Sequence, residues 1–297
     1  MMIRTPEDVT RCVLEVMEKT ADPRLREILV ALITHLHGFL REVKLTEVEY
    51  RAATALLAQL GQQTTDTHNE VVLIGGSLGV SQLICLMNNG DLGAHETSQN
   101  LLGPFWRLHQ PPAENGSSIV RSATPGPELD ARLTVLGTDG APIVDAEVDV
   151  WHSSPVGYYE NQDPDQAFMN LRGKFKTDAK GQIRFRSVKP GPYPIPTNGV
   201  VGQLLQAQGR HPYRPAHVHA LVYKEGYKTL TSQIYVRDDP YCDTDVQFGI
   251  TEALTADYVL HDTPNATFPD MARPWYSLDF TLILEAGQAQ LPRPPIK

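Results

Sequence analysis

The segment Ala131–Ser153, ARLTVLGTDGAPIVDAEVDVWHS, decides the fold class. Leu133 and Val135, then Val148 and Val150, alternate with polar residues, the period-two pattern of strands that bury one face. Asp139-Gly140 between the two runs is a tight-connection signal. Working outward, further strands are expected in GKFKTD (173–178), QIRFRSV (182–188), AHVHALVY (216–223), LTSQIYV (230–236) and YSLDFTLILEA (276–286). Many short strands punctuated by Gly, Pro and Asp favour a sandwich or barrel. A β-sandwich is expected for residues 116–297.

Upstream, the pattern changes to a helical one. Thr5-Pro6-Glu7-Asp8 offers a cap, a proline at the first helical position and acids in the first turn. After Asp22-Pro23, LREILVALITHLHGFLREV spaces apolar residues at three and four, as a helix with a buried face does. Thr46 and Glu49 form a capping box ahead of a third helix. EVVLIGGSLGVSQLICLM (70–87) predicts a fourth, weakened locally by Gly75, Gly76 and Gly79. The chain is therefore expected to be α+β, with an N-terminal helical domain over 1–92, a linker over 93–115 containing SQNLLGPFWRLHQPP, and an antiparallel β-sandwich over 116–297.

The 297 residues carry a formal charge of −9, which leaves no basic footprint for nucleic acid or an anionic membrane surface. Small-molecule chemistry is expected instead. Cys12, Cys85 and Cys242 form no metal-binding spacing, and their odd number argues against a disulfide framework. Charges in every turn of the first twenty residues are unlike a signal peptide, and no apolar run reaches membrane-spanning length. A soluble, cytoplasmic protein is expected.

The chemistry is concentrated in YRPAHVHALV, Tyr213–Val222. Alternate side chains of a strand share a face, so His217 and His219 would point the same way, a workable bite for one metal ion. An isolated His-x-His is as often a solvent-facing or core pair. Other residues weigh against that bland reading. Arg214 precedes the strand, and Gln233 puts an amide into the next apolar strand. Tyr193 is fixed between Pro192 and Pro194, and Tyr158 and Tyr159 follow Gly157 in a loop after DAEVDVWH.

Together, DVWHSSPVGYY, LRGKFKTDAKGQIRFRSVKPGPYPIPTNG, GRHPYRPAHVH and TSQI resemble the intradiol ring-cleavage dioxygenases, in the catechol and hydroxyquinol 1,2-dioxygenase branch. The ordered match runs over essentially the whole chain, including the helical part and LLGPFWR. The resemblance implies one ferric, non-haem ion per subunit, held by Tyr159, Tyr193, His217 and His219. Tyr158 rivals Tyr159, and only the Gly-x-Tyr register of the family favours the latter. Phenolate oxygen is a hard anionic donor suited to Fe(III), whereas neutral imidazole is accepted by many ions.

By the same resemblance, a catechol-type diol reacts with O2 to give a cis,cis-muconate-type dicarboxylate. Tyr193 matches the ligand that leaves and accepts a substrate proton, and Arg214 the fixed cation beside the ring. Gln233 matches a residue on the oxygen side. Leu73, Gly76, Leu101, Gly103, Pro104, Phe105, Ile195 and Pro196 are expected to face the ring; the other reading is core packing for the leucines and helix packing for the glycines. A homodimer through the N-terminal helices, with phospholipid in a tunnel between them, is implied as well.

The substrate signs conflict. PYPIPTNG and LGPF look like hydroxyquinol enzymes, but those usually carry an acid where Gly76 stands, and TSQI looks more like the catechol pattern. Hydroxyquinol and catechol therefore stay open as a pair. Two readings from other classes are a non-catalytic sandwich used as a carrier or interaction module, and a zinc or manganese enzyme. The first leaves two phenols, two histidines, an arginine and a glutamine unexplained; the second lacks a carboxylate ligand.

Overall fold

The computed structural model describes residues 2–65, 68–88 and 95–296. The expected boundary at 92–93 lies outside the described residues. Two compact units divide at residues 59 and 60.

The first unit holds helices α1 (Pro6–Met17), α2 (Pro23–Glu42) and most of α3 (Glu47–Gln62). Their starts follow the sequence signals. Thr5 and Asp8 form a reciprocal capping box, Asp22 caps α2 through the Leu25 amide, and Thr46 and Glu49 bond each other's backbone N–H. On α2, Leu25, Ile28, Leu32, Leu36 and Phe39 are exposed at three- and four-residue intervals, an apolar stripe along one side.

In the second unit, the expected fourth helix is two helices, α4 (Glu70–Ser77) and α5 (Val80–Asn88), bent by 75°. Gly79 at the break has φ of +73°, a conformation that glycine adopts without steric penalty. Neither helix is long and apolar enough to cross a membrane alone, nor is any other single helix among the described residues.

The strands are β1 (Glu128–Gly137), β2 (Glu147–His152), β3 (Arg172–Lys176), β4 (Gln182–Val188), β5 (Tyr193–Pro194), β6 (Tyr213–Arg214), β7 (His217–Tyr223), β8 (Leu230–Val236), β9 (Thr255–Ala256), β10 (Val259–His261) and β11 (Trp275–Leu284); helix α6 (Val200–Ala207) lies between β5 and β6. One sheet has the order β10-β11-β1-β4 and the other β3-β2-β7-β8-β9. Most neighbours are antiparallel; β1 with β11 and β8 with β9 run parallel. Leu129, Ala131, Leu133 and Val135 of β1 share a core with Val148 and Val150 of β2 and with Val218, Ala220 and Val222 of β7.

The turn at Asp139-Gly140 forms as expected, with Gly140 at φ of +78°. It does not make a hairpin, because β1 and β2 belong to different sheets. Only the isolated bridge between Leu136 and Pro142 pairs the two arms. Beyond that bridge the Val135 N–H donates to the Gly181 carbonyl instead of to the returning arm, and the chain passes on to start the second sheet.

Candidate active site

Strand β7 is buried on both faces. Val218, Ala220 and Val222 point into the sandwich core, so His217, His219 and Leu221 point to the opposite face of the five-stranded sheet. Register places Trp151 and Gln233 on either side of His219 and Tyr235 opposite His217. The Trp151 indole stacks on the His219 ring at 4.5 Å and 7°.

Two loops bring the phenols to this face. Tyr159 lies in the loop after β2, its ring 6.3 Å from His219 and 5.3 Å from Tyr193. Tyr193 lies 5.5 Å from His217 and pairs, through the two-residue ladder β5–β6, with Arg214. Gly157 has φ of +87°, and a Cβ there would lie 2.6 Å from the Pro192 carbonyl and 3.4 Å from Tyr193 Cα. Glycine is what lets the two tyrosine loops touch. Tyr159 is 1 % exposed and Tyr158 46 %, so only the former belongs to the cluster.

At the centre, His217 Nε2 and His219 Nε2 stand 3.1 Å apart. His217 Nδ1 lies 2.8 Å from the Pro215 carbonyl; donating to it leaves Nε2 with its lone pair facing inward. Among the described residues, His219 Nδ1 and Tyr159 Oη are buried with no hydrogen-bond partner. Burial keeps both imidazoles neutral, lowering His217 to about 3 and His219 well below its ordinary value; the neighbouring Arg214 lowers both, and His217 also lowers His219. Burial, then the adjacent Tyr193, raises the Tyr159 phenol. Without a cation the phenol is protonated and the inward lone pairs are poorly satisfied. A metal ion held by two imidazoles and two phenolates resolves both problems, so the residues fit such a group. Among the described residues, no group of three or more His, Cys, Asp and Glu is placed to hold a metal, which leaves the zinc or manganese reading without its carboxylate.

Arg214 is buried, and burial opposes its charge. Asp245 overrides this with a bidentate contact, Nε to Oδ1 at 3.1 Å and Nη2 to Oδ2 at 3.0 Å, and the guanidinium stays firmly protonated. Arg214 Nη2 also donates to Tyr235 Oη at 2.7 Å; Tyr235 donates to Gln233 Oε1 at 2.5 Å, and Gln233 Nε2 to the Leu101 carbonyl at 2.5 Å. Arg214 and Gln233, separate in the sequence, belong to one buried chain of hydrogen bonds.

The linker crosses over the histidines. A Cβ at Gly103, which has φ of +73°, would lie 3.2 Å from His219 Cε1. Phe105 packs on Tyr159 at 4.6 Å, its carbonyl accepts from Arg172, and Trp106 Nε1 donates to Asp149. Arg172 also pairs with Glu160, fastening linker and tyrosine loop together. Phe105 and Pro196 line a cavity of about 520 Å³ that also contacts His68, Arg107 and Ile296. Leu73 and Ile195 instead pack with Val201, Leu205 and Val246, the core-packing reading for Leu73. Leu101 is buried, Pro104 half-buried, and Gly76 faces Gln247. None of these, nor Gly103, lines the cavity.

Residues 103–282 match the family model described as Dioxygenase, and residues 22–94 that described as Catechol dioxygenase N terminus. The chain belongs to the intradiol ring-cleavage dioxygenase family. It is 39% identical over 272 residues to a hydroxyquinol 1,2-dioxygenase of Rhizobium, covering 90% of this chain and 91% of that protein. A catechol 1,2-dioxygenase of Candida albicans is 33% identical over 269 residues, covering 89% and 87%. The structure of hydroxyquinol 1,2-dioxygenase from Pseudomonas putida superposes with a TM-score of 0.87 at 33% identity, covering 95% of this chain and 99% of that one. As an intradiol dioxygenase the protein is an oxidoreductase that cleaves an aromatic ring between two hydroxylated carbons with O2. The family depends on non-haem iron. The non-catalytic carrier reading is set aside.

Proposed function

We propose that this intradiol dioxygenase cleaves hydroxyquinol or catechol at one ferric ion per subunit, held by Tyr159, Tyr193, His217 and His219. The convergence of two histidine Nε2 atoms within 3.1 Å, beside two phenols, carries the reading. When bound, Fe(III) supplies a Lewis-acid site for both vicinal substrate oxygens. The chain's own residues do the rest. Tyr193 accepts one substrate proton at Oη. Arg214, immobilised by Asp245 and Tyr235, keeps a full positive charge beside the ring, where negative charge develops on carbon. Gln233 orients Tyr235 and sits on the O2 side. Trp151, Phe105 and Trp106 exclude water.

The proposed division of labour is a helical part over 1–92, a site-covering linker over 93–115 and a catalytic sandwich over 116–297. The apolar stripe of α2 supports a homodimer through the helices, with phospholipid in that interface. A cytoplasmic location is proposed because no disulfide framework or membrane span is needed. Oxygen uptake on catechol, hydroxyquinol, methylcatechols and chlorocatechols, with product analysis, tests the reaction. One O2 consumed per diol, with an open-chain dicarboxylate formed, is expected; a product cleaved outside the two hydroxyls would overturn it.

A further inference from the structure

The loop after Asp245 brings one more polar group to the site. A Cβ on Gly249 would lie 2.5 Å from both Arg214 Nη2 and Tyr235 Oη, so this loop is packed directly on the arginine. It is rigidly held: Gly249 N donates to Asp245 Oδ2, Val246 O accepts from Arg210, and Gly249 O accepts from Asn100. Gln247 stands between Asp245 and Gly249. A Cβ on Gly76 of α4 would meet its carboxamide, 3.0 Å from Cδ and 3.1 Å from both Nε2 and Oε1. The absence of a side chain at Gly76 makes the room that this carboxamide occupies.

Gln247 is 7 % exposed, and its carboxamide has no hydrogen-bond partner among the described residues; its backbone N–H alone is engaged, to Asp245 Oδ1. A carboxamide carries two donors and an acceptor oxygen, and neither Nε2 nor Oε1 of Gln247 is among the fully buried unpaired atoms, so both stay open to a ligand or to water. Its backbone N–H shares Asp245 Oδ1 with Arg214 Nε, so this open carboxamide sits on the same loop that holds the arginine.

We propose that Gln247 is a specificity-determining residue whose carboxamide binds a third hydroxyl on the substrate ring. The preferred substrate is then a trihydroxybenzene rather than catechol or a chloro- or alkyl-substituted diol. A phenolic hydroxyl donates to Oε1 or accepts from Nε2, whereas chlorine and alkyl groups satisfy neither. A site built for a hydroxyl disfavours the analogue lacking it, because its own polar group is then left unpaired. This inference rests on the ring-cleavage reading given above.

The test compares benzene-1,2,4-triol with catechol by kcat/KM and by anaerobic dissociation constant, in the wild type and in Gln247→Met, which keeps length but loses the hydrogen bonds. Gln247→Asn, which withdraws the carboxamide by one methylene, provides the same ratio should the methionine variant fold poorly. The wild type is expected to favour the triol, and the triol-to-catechol ratio to fall by about tenfold in both measurements. An unchanged ratio, an equal loss for both diols, or a wild type that favours catechol overturns the role of Gln247 while leaving ring cleavage intact. A wild type that cleaves neither diol overturns the ring-cleavage reading itself.

Discussion

Tyr235 stands opposite His217 across the β7–β8 ladder, its ring 5.0 Å from the imidazole, and its hydroxyl joins Arg214 to Gln233. A single phenol thus fixes the two polar groups on either side of the histidines. Tyr235→Phe keeps the ring packing and removes that bridge. The expected result is a kcat lower by on the order of ten- to a hundredfold, equivalent to about 1–3 kcal/mol, with iron content unchanged. Steady-state oxygen uptake beside metal analysis checks it; unchanged kcat would remove Tyr235 from the positioning of Arg214.

The two adjacent tyrosines make opposite predictions. Tyr159 is buried against Tyr193 and His219, while Tyr158 is exposed and offers only backbone contacts to its loop. Tyr159→Phe should lose bound iron and turnover together, and Tyr158→Phe should retain both. Metal content of the two purified variants decides the assignment, and iron loss confined to Tyr158→Phe would exchange them.

Acid stability has a source outside the proposed ligands. His152 is fully buried between the sheets, its ring nitrogens 2.8 Å from the Ser153 carbonyl and 2.7 Å from Ser187 Oγ. Burial lowers its pKa from 6.5 to about 4. The unfolded chain therefore binds a proton at higher pH than the folded one. The contribution is fully present above pH 6.5 and is lost as pH falls toward 4, by on the order of 3 kcal/mol. Urea unfolding at pH 7, 5.5 and 4.5 should show a shallower acid loss in His152→Gln than in the wild type. Equal slopes would assign the acid sensitivity elsewhere.

Much of this was legible in local chemistry. Period-two alternation located β1, β2, β7, β8 and β11, and caps located α1 to α3, because those signals involve residues within a turn or two of each other. The crossing from β1 to β2 was not legible: Asp139-Gly140 specifies a turn, but which sheet the next strand joins depends on distant partners. The break between α4 and α5 was not legible either: three glycines weakened the expected helix, and only Gly79 takes the positive φ that splits it. In the site, Tyr235 could have been found from its two-residue spacing to Gln233 on the same strand face. Asp245 and Gln247 could not, since only tertiary packing brings their loop to Arg214 and Gly76. Of the residues expected to face the ring, Leu73 and Ile195 pack into a separate apolar cluster, while Phe105 and Pro196 border a cavity.

The central claim is that Tyr159, Tyr193, His217 and His219 together hold ferric iron. The most direct measurement is the visible spectrum of the purified protein alongside its metal content, before and after anaerobic addition of catechol. The account predicts about one iron per chain and a wine-red colour from phenolate-to-iron charge transfer, with a band that shifts when catechol binds. A colourless protein containing stoichiometric zinc and no iron would contradict it.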